Sequence, residues 1–537
     1  MGFCDENYKK RYEYLELETQ IDNLKRANEN LKQENDDLKE HIHNFKSSMP
    51  YKLWNKVSKD PYAGNESEIK NIKDIKVALI ADQFSYDSYK YEFRVISLTP
   101  DNWKDQFESE NPDLFFCESA WDGHNFEGMY GPWHEKIFKD YRVDEENRSV
   151  LFEILDYCKD NDIPTIFWNK EDPTSYNNKI RSFADTAKNF DYIFTSAEEC
   201  IKHYKKDFNH SNVFSLMFAA QPKMFNPLKL SGESKGGVVF AGSYYSDFPK
   251  RAKLMDNIFD RIVESGCGLC IYDRYYYEDC RHYPDKYREY INPPIDYDAT
   301  PDLYKIYDWC LNFNTITNSS TMFARRIFEL ALSYTNILTN YSIGVEDIFK
   351  DNVFVFDKTD EMPDFNKSYD EKRLNNLYNV LENHTYKNRW KQILDTIGFE
   401  YVEDNEDITI IYKINDLNML DKVIENFKHI DYPNKILKIL LLSNIDVEKY
   451  EGIDFYTKID EIKIDSTYWI VSDDVIDEGF IKKSVLHYQY LNKRISISKG
   501  KNKFTLGIEN NIENKIIAKI TSDSLDFDID EIEVYYV

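Results

Sequence analysis

Leu17, Leu24, Leu31, Leu38 and Phe45 recur every seven residues, and Ile21, Asn28, Asn35 and Ile42 follow the four leucines at an offset of four, with Tyr14 ahead of them. That seam, uninterrupted by Gly or Pro over residues 12–46, predicts a coiled coil at 1–48. Two Asn at core positions, with Glu34 and Lys39 at flanking positions that attract across a parallel pair, predict a parallel homodimer. Residues 49–74, with Pro50, Pro61 and Gly64, predict a linker. Beyond it the period changes. Short apolar runs at 76–81, 113–117, 164–168 and 191–195 alternate with helical stretches such as 148–161 and 176–189. A second series runs through 237–241, 269–272, 309–313 and 335–339. Strands alternating with helices predict parallel sheets with both faces covered.

These patterns divide the chain into a first α/β domain at 75–228 and a second at 229–400, whose helices between Leu374 and Leu394 close the body. A small α/β domain follows at 401–537, with strands at 408–412, 436–442 and 468–471, a helix from Leu417 to Phe427 and a solvated acidic end at 522–533.

Composition narrows the function. Against 68 Lys+Arg stand 96 Asp+Glu, leaving −28 over 537 residues, a balance that argues against nucleic acid as a partner. The 41 Tyr and 34 Phe argue against disorder. No apolar run approaches the length of a membrane span. The polar start, Met1 to Arg11, and eight scattered Cys fit a reducing, cytoplasmic compartment. Cys267, Cys270, Cys280 and His282 raise zinc, but Cys270 sits in an apolar run that reads as a buried strand, so no metal is expected there.

In open α/β sheets the chemistry lies just past the carboxyl ends of the strands. Those positions hold Glu118, Asp122 and His124, then Glu171 and Asp172, as candidates for the base that takes a proton from an acceptor hydroxyl. In the second domain they hold Ser243, Arg251 and Arg274, then Ser319, Ser320 and Thr321 before a helix predicted over 322–332 that carries Arg325, Arg326 and Glu329. Hydroxyls capping a helix start beside arginines make an anion site.

The stretches FFCESAWDG (115–123), IPTIFWNKEDP (163–173), FDYIFTSAEECIKHYKKD (190–207), VVFAGSYYSDFPKR (238–251), LCIYDR (269–274) and NTITNSSTMFARRIFELALSYTNILTN (314–340) resemble, in order, the CgeB-like glycosyltransferases. The resemblance implies an α/β fold of the GT-B type, with twin Rossmann-like domains, here preceded by the coiled coil and followed by the small α/β domain. It implies transfer from a nucleotide-sugar donor, which is a substrate, with no cofactor required at the GT-B site. Glu329 matches the position that typically holds the nucleotide ribose in related enzymes. The companion acid common eight positions earlier in retaining relatives is replaced here by Thr321. Tyr468–Val471 running into Ser472-Asp473-Asp474 weakly resembles the metal-binding end of GT-A enzymes, and the short strand spacing suggests a degenerate, non-catalytic copy. The expected partners are a nucleotide sugar and a surface glycan, teichoic-acid-like polymer or glycoprotein acceptor. The competing expectation, supported by Thr321 and the eroded third domain, is an inactive zipper-dimerised scaffold or subunit of a glycosylation complex.

Overall fold

The structure, a computed structural model, describes residues 69–537 apart from 230–234, 247, 279, 360, 449, 451, 501–502, 510 and 519–531. The heptad segment at 12–46, the dimer expected through it and most of the linker lie outside the described residues.

The apolar runs become strands because a parallel sheet buried on both faces needs side chains without polar groups on either side. In the first half, β1 (Lys76–Ile80), β2 (Arg94–Ser97), β3 (Leu114–Glu118), β4 (Thr165–Asn169), β5 (Tyr192–Thr195) and β6 (Val213–Ser215) form an all-parallel sheet in the order β2-β1-β3-β4-β5-β6. In the second half, β7 (Val238–Ala241), β8 (Leu269–Tyr272), β9 (Ile291–Asn292), β10 (Trp309–Asn312), β11 (Asn336–Thr339) and β12 (Phe354–Val355) form another, in the order β9-β8-β7-β10-β11-β12. The strand order reverses between β1 and β3 in one sheet and between β7 and β10 in the other. In open α/β sheets ligands bind beside such reversals.

Two predicted helices are shorter in the structure. Residues 176–189 give a helix only at Phe183–Ala187. Asn178 Oδ1 accepts from the amides of Ile180 and Arg181, which turns the chain, and Arg181–Ser182 then pairs with Lys139–Asp140. The helix expected over 322–332 begins at Arg326. Ser319 Oγ accepts from Met322 N at 3.0 Å and Asn314 Oδ1 from Ala324 N at 3.1 Å. Those amides are satisfied by side chains and have no need of helical turns. The helices used below are α1 (Gln83–Tyr89), α2 (Ser149–Asp160), α3 (Pro249–Ser265), α4 (Arg326–Leu332), α5 (Asp370–Asn383) and α6 (Tyr386–Ile397).

The closing helices split between two bodies. Thr385 and Asn388 form a reciprocal capping box at the start of α6, and Gly398 ends it at φ 72°. The face thus aligned, with Tyr386, Trp390, Ile393 and Leu394, packs into the first half against Leu79, Phe116 and Trp168. Sequence grouped 386–400 with the second domain, and the structure seats α6 on the first. Where the chain crosses between halves, its two passes are hydrogen-bonded: Ala220 N to His384 O at 3.1 Å and Tyr386 N to Ala220 O at 3.2 Å. Buried Arg389 donates to the carbonyls of Met217 and Phe218 and fixes the first pass.

The third region forms an eight-stranded mixed sheet. Its parallel part is β13 (Ile408–Ile414), β14 (Lys435–Leu441), β15 (Asp454–Tyr456) and β16 (Tyr468–Ser472). Its apolar core, including Ile410, Tyr412 and Val423, is continuous with Ile327, Phe328 and Leu332 of the second half through Leu377, Val380 and Leu381 of α5. Gln489 Nε2 donates to Leu381 O at 2.8 Å across the same boundary. Asp473 and Asp474, after β16, are exposed.

Candidate functional site

At the first switch point the chain leaves β1 through Ala81-Asp82 and enters α1. Asp82 sits at the N-cap position but makes no cap bond with its side chain. Its carboxylate instead accepts from the amides of Trp121, Asp122 and Gly123, at 3.0–3.1 Å, in the loop after β3. Lys170 Nζ, from the end of β4, lies 2.6 Å from Asp82 Oδ2 and 2.9 Å from Glu118 Oε1. Glu118 Oε1 also accepts from Asp82 N at 2.6 Å. Three strand ends are thereby tied by one cation between two carboxylates. Burial lifts the Glu118 carboxyl above its usual range against the pull of Lys170. Burial also raises Asp82, but Lys170 and the amides outweigh it and hold that carboxyl below its usual range. For Lys170, burial is overcome by the two carboxylates, which keep the ammonium charged.

The sequence placed Glu118 at this site but missed Asp82 and Lys170. Asp82 follows β1 closely, just as Glu118 ends β3, so the strand-end rule alone could have found it.

The other first-half candidates separate by environment. Asp172 is fully buried and accepts from Asn169 Nδ2 at 2.9 Å, Thr195 Oγ1 at 2.7 Å and Tyr204 OH at 3.1 Å, and burial pushes its carboxyl up to about 7. It acts as a clasp between β4, β5 and the helix at Ile201–Asp207. His124 is buried, stacks on Tyr86 at 4.0 Å and bonds Ala81 O and Ser97 Oγ, and burial lowers its pKa. Glu171 is partly buried beside Lys170 and bonded to Trp121, with its carboxyl raised by burial. Asp122 keeps solvent contact and pairs with Nδ1 of His134.

At the second switch point, Ser243 is buried just past β7. Arg251, in the first turn of α3, donates to Thr315 Oγ1 at 2.6 Å, past the end of β10, and lies 4.3 Å from the ring centre of Tyr245. Arg281 lies 4.6 Å from that same ring. Arg326 lies 5.2 Å from the ring of Phe240 and bonds Tyr304. Among the described residues neither Arg251 nor Arg326 has a carboxylate partner, and burial lowers the pKa of Arg251. Arg274 points into solvent beside Tyr275. Adjacent Arg325 faces elsewhere. Its Nε lies 3.0 Å from Oε1 of buried Glu329, one turn on, which also accepts from Tyr297 OH at 3.0 Å. The loop ahead of α4 is pinned by buried amides: Asn314 bonds Thr339 Oγ1 and Asn340 O, and Asn340 Oδ1 accepts from Asn314 N.

Ser319, Ser320 and Thr321 do not cap α4. Ser319 Oγ donates to Glu199 Oε2 at 2.9 Å, Ser320 Oγ to Glu198 Oε1 at 2.5 Å, and Thr321 Oγ1 accepts from Glu198 N at 2.9 Å. Both glutamates belong to the first half, so the hydroxyls read as an anion cradle form a seam between the halves.

Residues 258–395 match the family model described as glycosyl transferase-like. By this match residues 258–395, from within α3 into α6, carry a glycosyl transferase-like domain. Similar solved structures include an alpha-glucosyltransferase in complex with UDP and a mismatch-containing DNA, at 11% identity and TM-score 0.42, covering 60% of this chain and 99% of that one. A glycosyltransferase from Rickettsia africae ESF-5 is 10% identical with TM-score 0.36, covering 59% of this chain and 88% of that one. A TarM mutant from S. aureus, in complex with fondaparinux, alpha-GlcNAc-glycerol and UDP, is 12% identical with TM-score 0.24, covering 58% of this chain and 53% of that one. No curated protein sequence matches the chain. Among the described residues no helix is long and apolar enough to cross a membrane, and no group of three or more His, Cys, Asp or Glu is placed to hold a metal ion.

Proposed function

We propose that the chain transfers a sugar from a nucleotide-sugar donor, bound by the second half, to a hydroxyl of a surface glycan, teichoic-acid-like polymer or glycoprotein offered to the first half. The observation that carries this reading is the pair Arg251 and Arg326 at the second switch point, cations without carboxylate partners among the described residues. A diphosphate leaving group develops negative charge as the glycosidic bond breaks, and such cations stabilise it. Glu329, on the same helix as Arg326, is assigned to the ribose hydroxyls. Of the five candidate bases, Asp122 and Glu171 are not fully buried, whereas Glu118, His124 and Asp172 are buried and engaged. Asp122 is the better base, because its partner His134 is exposed and can pass the proton on. Dimerisation through residues 12–46 is part of the same proposal.

The contact of Glu198 and Glu199 with Ser319–Thr321 favours a second reading, in which carboxylates fill the donor loop and the chain serves as a scaffold. Thermal-shift and donor-hydrolysis assays with UDP-, GDP-, dTDP- and CDP-sugars decide between them. A saturable shift with one donor, lost in Glu329→Ala, supports transfer. No shift and no hydrolysis with any donor leaves the scaffold.

A further inference from the structure

Phe84 lies in the first turn of α1, two residues after Asp82, and is not part of either hydrophobic core of the first half. Its surroundings are cationic instead. Lys170 Nζ lies 4.3 Å from its ring centre and Arg325 Cζ lies 4.1 Å from it. Lys170 belongs to the first half and Arg325 to the second, and each is neutralised on its own side. Lys170 pairs with Asp82 and Glu118, and Arg325 with Glu329. One ring therefore touches both charge networks, one from each half.

An aromatic face attracts cations through its quadrupole, most strongly where water is excluded. Lys170 is 3% exposed and Arg325 19% exposed, so both contacts are largely desolvated. Arg325 is also 5.2 Å from the ring of Tyr297, whose hydroxyl donates to the same Glu329 oxygen. The Phe84 ring covers the guanidinium from the first half, while Glu329, Tyr297 and Tyr386 hold it from other sides, so removing the ring loosens one of the contacts that fix Arg325 beside Glu329. Beside this contact, Met322 packs against the first-half core and Glu198 and Glu199 bond the hydroxyls of Ser319–Thr321. The loop before α4 is thus shaped by the opposite half.

We propose that Phe84 is a positioning residue for the donor site: through Arg325 it sets the orientation of Glu329, so that nucleotide binding in the second half depends on a side chain of the first. This rests on the assignment of Glu329 to the nucleotide.

The test uses the full chain with Phe84→Leu, Phe84→Met and Phe84→Tyr, read first without ligand and then with nucleotide. Without ligand, amide hydrogen exchange over residues 322–332 is expected to quicken in the Leu and Met variants and to stay at the wild-type rate in Tyr, which keeps the ring. In titrations with UDP, GDP, dTDP and CDP, the nucleotide that binds wild type is expected to bind Phe84→Leu about tenfold more weakly and Phe84→Tyr within about twofold. Combined with Arg325→Met, Phe84→Leu is expected to add no further loss, because the two act through one contact. Wild-type exchange rates in both Leu and Met variants, or losses that add with Arg325→Met, would overturn the proposal. If no nucleotide binds wild type, the donor-site reading fails, and the ligand-free exchange still decides whether Phe84 holds α4.

Discussion

Lys170 is bonded to Asp82 at 2.6 Å, joining the ends of two strands that are not neighbours in the first sheet, with Glu118 of the strand between them closing the group at 2.9 Å. One buried cation compensates buried Glu118 and partly buried Asp82. Lys170→Met strands Glu118 in a low-dielectric site, while Asp82 keeps its three amide donors, and is expected to cost about 3–5 kcal/mol at pH 7. Urea denaturation measures it. The loss is expected to shrink toward pH 4–5, where the stranded carboxyl takes up a proton. An equal loss at both pH values would contradict the charge argument.

Asp172 gives a pH effect of the opposite origin. Burial raises its carboxyl to about 7 in the native state from the ordinary 3.8. Between those values the unfolded chain releases a proton that the native state keeps. Asp172 therefore costs progressively more stability as pH rises from about 4 through about 7, on the order of 4 kcal/mol once fully ionised. Asp172→Asn, scanned by thermal melting from pH 5 to 8, is expected to flatten that part of the profile.

Arg251 and Arg326 are expected to recognise phosphate oxygens specifically. Arg251→Met or Arg326→Met should weaken binding of the preferred nucleoside diphosphate roughly 10- to 100-fold, the range for a charged hydrogen bond, and leave the bare nucleoside unaffected. Calorimetric titration of both ligands separates this outcome from a general collapse of the site.

Glu198 and Glu199 compete with any anion for Ser319 and Ser320. Replacing both by Gln is expected to tighten nucleoside diphosphate binding by roughly fivefold, the scale of a partly exposed charge contact. Weaker binding would mean that the glutamates help to build the donor site.

Much of the layout was legible in the sequence. Runs such as Val238–Ala241 and Leu114–Glu118 are apolar on both faces, which only a covered parallel strand requires. Arg251, Arg325 and Arg326 were marked by their place after strand ends, and Glu329 by the family resemblance; which of the two adjacent arginines lacks a carboxylate partner needed the fold. What escaped depends on partners far along the chain. The hydroxyls of Ser319–Thr321 looked like caps because the local pattern fits one, and the glutamates that take them lie some 120 residues earlier. Asp82 stands out only once the amides of residues 121–123 fold over it. Phe84 belongs to no motif in the sequence, and the two cations beside it come from residues 170 and 325.

The return of α6 to the first half has a consequence for how this protein can be taken apart. A fragment cut after Pro227 would present an empty apolar socket where Trp390 and Ile393 belong, and the remainder would carry that helix with nowhere to bury it. The halves are therefore not interchangeable cassettes. A recombination that swaps the donor-binding portion between relatives has to leave both boundaries, one on each side of the paired crossing at Ala220 and Tyr386, in register with the recipient.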